Sequence, residues 1–310
     1  MAFSCTKGHV YMGDTSTDAS YRPVSGGNGR VTVEPLPSRD YLAKYYADNY
    51  YQRPDSQSYA VTYSPLELAH RRLRSSAMVY AIEQCCTPRT MLDCGTGEGF
   101  LLAAAVESGL DAVGIDYSTF GVETWHPHLA GRLMAGDIEQ TLDSFASDGR
   151  TFDACTLVNV LEHVRSPLET LQGIAAVLSK EAVIAITVPN DYSTLQQLLT
   201  DEGLISEPYW FSPPQHLSYW NTDSLPRFLD SAGLSVLDAF SDFPIELYLL
   251  HPGSSYTSDR ANNGPAAHTA RLQFDLLIAE KGLDAYLDFY RSLFRVGQGR
   301  NITVLARPVT

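Results

Sequence analysis

The residues of this chain best able to hold a ligand are a run of glycines and three carboxylates, each placed just after an apolar stretch. The sharpest run is Met91-Leu92-Asp93-Cys94-Gly95-Thr96-Gly97-Glu98-Gly99. Gly95, Gly97 and Gly99 allow a tight turn and let backbone approach a ligand with no Cβ in the way. The first amides of a helix that follows would face the same ligand. Asp116 closes the next apolar stretch, where an acid accepts hydrogen bonds from ribose hydroxyls. In Gly136-Asp137-Ile138, the carboxylate can accept from the exocyclic amine of adenine while Ile138 lies against the base. The set implies a nucleoside-containing cofactor.

Which nucleoside is decided at the glycine turn. A dinucleotide fingerprint that starts at Gly95 needs glycine at its sixth position, and Phe100 stands there. The phosphate-loop lysine is also missing. Asp93, just before the turn, suits an amino group, met directly or through water, and does not favour a pyrophosphate. S-adenosyl-L-methionine (SAM) meets these conditions: an adenosine, few phosphate demands and a charged amino acid. Its sulfonium already activates the methyl group, so the protein must align an acceptor and exclude water. An alcohol acceptor also needs a base. His163, after the fourth expected strand, and His216, in an aromatic insertion, are the candidates. The alternative for His163 is a helix-cap contact.

Positioning these residues requires short buried strands alternating with helices. Thr90–Cys94, 112–116, 132–135, Phe152–Val158, 182–188, 234–240 and 301–306 read as strands. Helices are expected from 64 to 86, at 100–108, 166–179 and 222–232, and over 272–294 with a break at Gly282. Ser64-Pro65-Leu66-Glu67 is a capping box, and Ser166-Pro167-Leu168-Glu169 repeats it. Such alternation means a parallel sheet with helices on both faces, an α/β chain. Residues 1–60 read as an irregular arm followed by a tyrosine-rich helix. Residues 61–310 read as the main domain, with insertions at about 190–220 and 241–268. Trp210 and Trp220 of the first insertion either fill core or stack on a ligand.

Composition narrows the field. The 310 residues carry 22 Lys and Arg against 36 Asp and Glu, a net charge of −14, with 44% hydrophobic residues. Wholesale disorder is excluded. Nucleic acid and anionic membranes are disfavoured as partners. No apolar run approaches the roughly 20 residues of a membrane span. Five cysteines with no C-x-x-C pair argue for reduced thiols and a cytoplasmic setting. A monomer or homodimer is expected.

The sequence resembles the class I SAM-dependent methyltransferases, within the broad group of ubiquinone-type and sugar or glycan enzymes. The resemblance rests on residues 92–99, Gly114-Ile115-Asp116-Tyr117-Ser118, Gly136-Asp137-Ile138, Phe152-Asp153-Ala154 with Leu161-Glu162-His163-Val164, Val188-Pro189-Asn190, and Pro213-Pro214-Gln215-His216-Leu217. It implies a Rossmann-like, doubly wound sheet of seven strands, the last antiparallel, with helical and aromatic insertions. It adds Thr96, Tyr117 and Asn159 to the expected cofactor contacts. It implies methyl transfer from SAM, leaving S-adenosyl-L-homocysteine (SAH), to a hydroxyl of a small molecule or sugar. Nitrogen and carbon acceptors and a non-catalytic SAM-binding protein are the alternatives. Ubiquinone-type enzymes associate an E-x-x-E-H run with a metal. Here the first acid is replaced by Asn159, so no metal is expected. Cys5 alone remains of an N-terminal cysteine module that related chains carry.

Overall fold

The computed structural model describes residues 11–12, 20–49 and 62–309. The main sheet has seven strands: β1 (Thr90–Cys94), β2 (Asp111–Asp116), β3 (Leu133–Ala135), β4 (Phe152–Val158), β5 (Leu178–Pro189), β6 (Leu234–Ser241) and β7 (Asn301–Pro308). Their spatial order is β6-β7-β5-β4-β1-β2-β3. β1 pairs in parallel with β2 and β4, and the pairings extend in parallel to β3 and β5. β7 runs antiparallel to both β5 and β6. This is the expected doubly wound sheet with its last strand reversed. The connections change direction between β1 and β4, so a crevice opens above the carboxyl ends of those strands.

Ten helices flank the described sheets: α1 (Arg39–Asn49), α2 (Pro65–Cys85), α3 (Phe100–Glu107), α4 (Phe120–Trp125), α5 (Ile138–Ser147), α6 (Pro167–Ala176), α7 (Thr194–Asp201), α8 (Ser224–Ser231), α9 (Arg260–Ala279) and α10 (Leu283–Arg295). Strand alternation divides the core between two faces. Met91, Val183 and Ala185 join α2, α3 and α10 through Ile82, Leu102 and Leu287. Leu92, Cys94, Ile184 and Ile186 join α5, α6 and α8 through Phe145, Ile174 and Leu229. Each large side chain buried this way contributes about 1.5–3 kcal/mol. Asp93 sits between Leu92 and Cys94 and so emerges on the α2 and α3 face.

Ser64 caps α2 as expected. Its Oγ accepts from the Glu67 amide, and Glu67 accepts from the Ser64 amide at 2.8 Å. Ser166 makes no side-chain cap bond, and α6 starts instead on Pro167, whose missing N–H is no loss at the first helical position.

Two expectations are corrected and one open alternative is decided. The expected irregular arm contains strands Ser20–Ser25 and Val31–Glu34. They form an antiparallel sheet with Ser218–Tyr219 of the aromatic insertion, and Tyr11–Met12 pairs at its edge. Local composition hid this because the pairing partner lies far along the chain. The helix expected from 272 starts earlier, inside the second insertion, since α9 begins at Arg260 and runs through Gly264 and Pro265. Both residues disfavour helix, but Asp259 caps it and Ala267, Leu272 and Asp275 are buried along it. Finally, Trp210, Phe211, Tyr219 and Trp220 are buried in packed clusters, and none of them borders the large cavity. The core-filling reading of that insertion holds.

Of the tyrosine-rich segment, Tyr50, Tyr51 and Tyr59 lie outside the described residues, as does Cys5. Leu42 of α1 is buried, and the Tyr41 and Tyr45 rings stack with centroids 6.3 Å apart. Among the described residues the cysteines are free, and no helix is long and apolar enough to cross a membrane.

Candidate active site

A cavity of about 1000 Å³ opens over the carboxyl ends of β1, β2 and β4. That is at the upper end of small-molecule sites, which run roughly 300–1000 Å³, so a cofactor and a second molecule fit together. Its wall includes Asp93, Gly95, Thr96, Gly97, Gly99, Asp116, Tyr117, Asp137, Ile138, Asn159 and His163. Every expected cofactor residue is therefore gathered at one place, with one of the two histidines.

The glycine turn is built by backbone. The Gly95 and Thr96 amides donate to the Ile115 carbonyl at 2.8 and 3.1 Å. Gly95 has φ +80°, and a Cβ there would stand 2.3 Å from Val160 Cγ2. Gly97 has φ +57°, and a Cβ there would meet no protein atom within 4 Å. The first glycine is thus required by the fold, whereas the second leaves open space at the cavity wall.

The carboxylates differ in how they are held. Asp93 is buried, and its Oδ1 accepts from Thr156 Oγ1 at 2.7 Å. Its Oδ2 is buried without a hydrogen-bond partner. Burial pushes its carboxyl up to about 6, against the Thr156 hydrogen bond and with help from Asp116. Asp116 accepts from the Gly97 amide at 2.8 Å and the Ser118 amide at 3.0 Å. Its carboxyl is also raised, chiefly by burial. Asp116 therefore ties the glycine turn to β2, with lone pairs left for further donors. Asp137 caps α5 through the Gln140 amide at 2.9 Å and also accepts from the Tyr117 hydroxyl. Asn159 takes a left-handed φ of +55° straight after β4, a conformation asparagine tolerates better than most residues.

The histidines stand at a second corner. His163 Nδ1 donates to the Gln215 carbonyl at 2.8 Å. A carbonyl only accepts, so the neutral ring carries its proton on Nδ1 and its lone pair on Nε2. Burial, and then His216, hold His163 down at about 3. His216 does not border the cavity. It packs edge-on against His163 with centroids 4.9 Å apart, and burial lowers it to about 4. The expectation of two histidines facing an acceptor thus becomes one facing histidine with another behind it.

Glu162, His163 and His216 bring one ligand atom each to within 4.8 Å of one another. Glu162 Oε2 and His216 Nδ1 are buried without partners, so a divalent cation would fit among these three. The expectation of no metal rests on the lost first acid. The insertion supplies a third ligand, His216, from elsewhere in the chain.

Several wall residues escaped the sequence reading. Glu98 is buried and accepts from the Tyr63 hydroxyl at 2.6 Å, while Arg71 pairs with it at 2.7 Å and lies 3.9 Å above the Tyr63 ring. This latch fastens α2 to the glycine turn. Arg74 and Met78 of α2 and Arg271 and Leu272 of α9 complete the far wall. The i and i+4 spacing of Arg74 and Met78 was the available signal for a helix face, but nothing local says that the face borders a cavity.

Comparison with known proteins decides the family. A family model described as a methyltransferase domain matches residues 63–239, more than half of the chain. The chain belongs to the class I SAM-dependent methyltransferases. This methyltransferase is 31% identical over 108 residues to the ubiquinone biosynthesis O-methyltransferase of Actinobacillus pleuropneumoniae serotype 5b, covering 33% of the chain and 46% of that protein. It is 28% identical over 132 residues to that of Parvibaculum lavamentivorans, covering 41% and 52%. The chain thus spans about half the length of the curated relatives it matches. In fold it is similar to the Burkholderia thailandensis 1,6-didemethyltoxoflavin-N1-methyltransferase, solved with bound 1,6-didemethyltoxoflavin and SAH. The TM-score is 0.50 and the identity 13%, covering 98% of this methyltransferase and all of that chain.

Proposed function

We propose that this methyltransferase moves the methyl group of SAM to a hydroxyl of a small molecule or sugar. The observation that carries the cofactor half is Asp93 Oδ2, a buried and unpartnered carboxylate oxygen beside the glycine turn. An ammonium group is its natural complement. Asp116 then takes the ribose hydroxyls, and Asp137 and Ile138 the adenine end, with Thr96, Tyr117 and Asn159 completing the cradle.

In the transfer, the acceptor oxygen attacks the methyl carbon, the carbon–sulfur bond breaks, and SAH leaves as a neutral thioether. The hydroxyl proton passes to His163 Nε2. The Gln215 carbonyl fixes the ring's tautomer, and His216 braces the ring from behind. A weakly basic imidazole suffices, because the oxygen becomes strongly acidic as its bond to carbon forms. A divalent cation held among Glu162, His163 and His216 would take the His163 Nε2 lone pair and would itself polarise a bound oxygen, so the transfer to His163 belongs to the site without a cation.

The curated relatives are named O-methyltransferases, which supports oxygen over nitrogen or carbon. The test is a methyl-transfer screen across sugars, phenols and amines with labelled SAM, run before and after chelation. Label on hydroxyl acceptors, persisting after chelation, is expected. Label on amines alone overturns the choice of acceptor, and SAM binding without transfer to any acceptor favours a non-catalytic protein.

A further inference from the structure

The far wall of the cavity holds an arginine whose charge is unmatched. Arg271 projects from α9 between His268 and Leu272, all three bordering the cavity. Its only hydrogen bond among the described residues runs from Nη2 to His268 Nδ1 at 3.0 Å. Its Nε is buried without a partner. No carboxylate oxygen of the described residues lies within 4 Å of the guanidinium, whereas the neighbouring arginines of α2 are matched; Arg165, after β4, also borders the cavity with a buried, unpartnered Nε. Arg71 pairs with Glu98, and Arg74 reaches Asp242 at 3.5 Å. The nearby acids are engaged elsewhere. Asp242 accepts from the Asn301 amide and side chain at 2.7 and 2.6 Å. Asp275 accepts from the Tyr290 hydroxyl and meets His70 at 2.6 Å. Glu67 holds the capping box and stands 3.5 Å from the far nitrogen of His268.

A guanidinium with a buried, unsatisfied donor is costly until an anion takes it. The same planar fork matches carboxylate and phosphate oxygens two at a time. We propose that Arg271 receives an acidic group, a carboxylate or a phosphate, on the methyl acceptor. The acceptor is then an anion that the cavity orients by its charge, with its hydroxyl toward His163. This rests on the reading of the cavity as a site for SAM and an acceptor. The methionine carboxylate of the cofactor is the competing anion, and the test separates the two.

The experiment titrates the SAH-loaded protein with two matched pairs of probes, benzoate against benzamide and phenyl phosphate against phenol. In the wild type each anion binds about tenfold or more tighter than its neutral counterpart, the size of a charge-assisted hydrogen-bonded pair. Arg271→Gln removes that preference and leaves SAH affinity unchanged, which also shows that the variant is folded. Arg271→Lys keeps part of the preference. A wild type indifferent to probe charge, or a preference that survives Arg271→Gln, overturns the proposal. So does a tenfold loss of SAH affinity in Arg271→Gln, which would assign the guanidinium to the cofactor. A wild type that fails to bind SAH contradicts the cofactor reading itself, a result distinct from a loaded protein that ignores charge.

Discussion

The two halves of the cavity are built by different means. The half over β1, β2 and β3 is made of strand ends and backbone turns: Gly95 and Thr96 bonded to Ile115, and Asp116 bonded to Gly97 and Ser118. The half under α2 and α9 is made of long side chains meeting between helices, where Arg71, Arg74 and Arg271 find acids, rings or an imidazole. Backbone geometry is shared by all sequences that can make the turn, so it suits an invariant cofactor. A side-chain wall changes with single substitutions, so it suits a variable acceptor. The comparison predicts that damage to the first half abolishes cofactor binding, and that damage to the second alters turnover or acceptor preference while sparing the cofactor.

The largest effect is expected from Gly97→Val. Its side chain would enter open cavity space from a left-handed backbone that β-branched residues avoid. Calorimetric SAM binding should be lost while circular dichroism shows a folded chain; unchanged affinity would refute the pose.

Next comes Asp93→Asn. Losing a charge-assisted hydrogen bond should weaken SAM binding about 10- to 100-fold. The pH dependence sharpens the point. In the free protein this carboxyl sits near 6, and an ammonium ligand favours its charged form. Wild-type affinity should therefore be flat between about pH 6 and the roughly pH 8 at which the ligand's α-amino group deprotonates, and fall by up to about tenfold per unit below pH 6. The asparagine variant should lose that slope, and a wild-type profile with no slope would separate Asp93 from the amino group.

His163→Ala probes the corner after β4, outside the cofactor half. Turnover should fall about 100-fold, the usual scale for a lost general base, with SAH affinity intact. Normal turnover would remove His163 from the chemistry. The smallest effect is expected from Ser64→Ala. Removing the α2 cap should cost about 1 kcal/mol in denaturant unfolding, with SAM affinity unchanged. A large binding loss would mean that α2 belongs to the cofactor half.

Legibility in the sequence follows the same division. The strand bounds of Thr90–Cys94 and Phe152–Val158 and the glycine turn could be read directly, because buried strands and glycines leave local signatures. The Ser64 capping box was legible for the same reason. The pairing of Val31–Glu34 with Ser218–Tyr219 was not, since it joins segments distant in the chain. Nor was the seat of His216 behind His163, or of Arg271 opposite the glycine turn. Those depend on how segments distant in the chain pack together, and no short window contains that information. The start of α9 at Arg260, ahead of the expected 272, was not legible, because Gly264 and Pro265 disfavour helix locally while burial of Leu272 and Asp275 outweighs that preference.

The most direct measurement is a paired titration of the intact wild-type chain with SAM and with NAD, read by calorimetry. The account predicts saturable binding of SAM at one site per chain and no binding of NAD. Tight binding of NAD with none of SAM would contradict it.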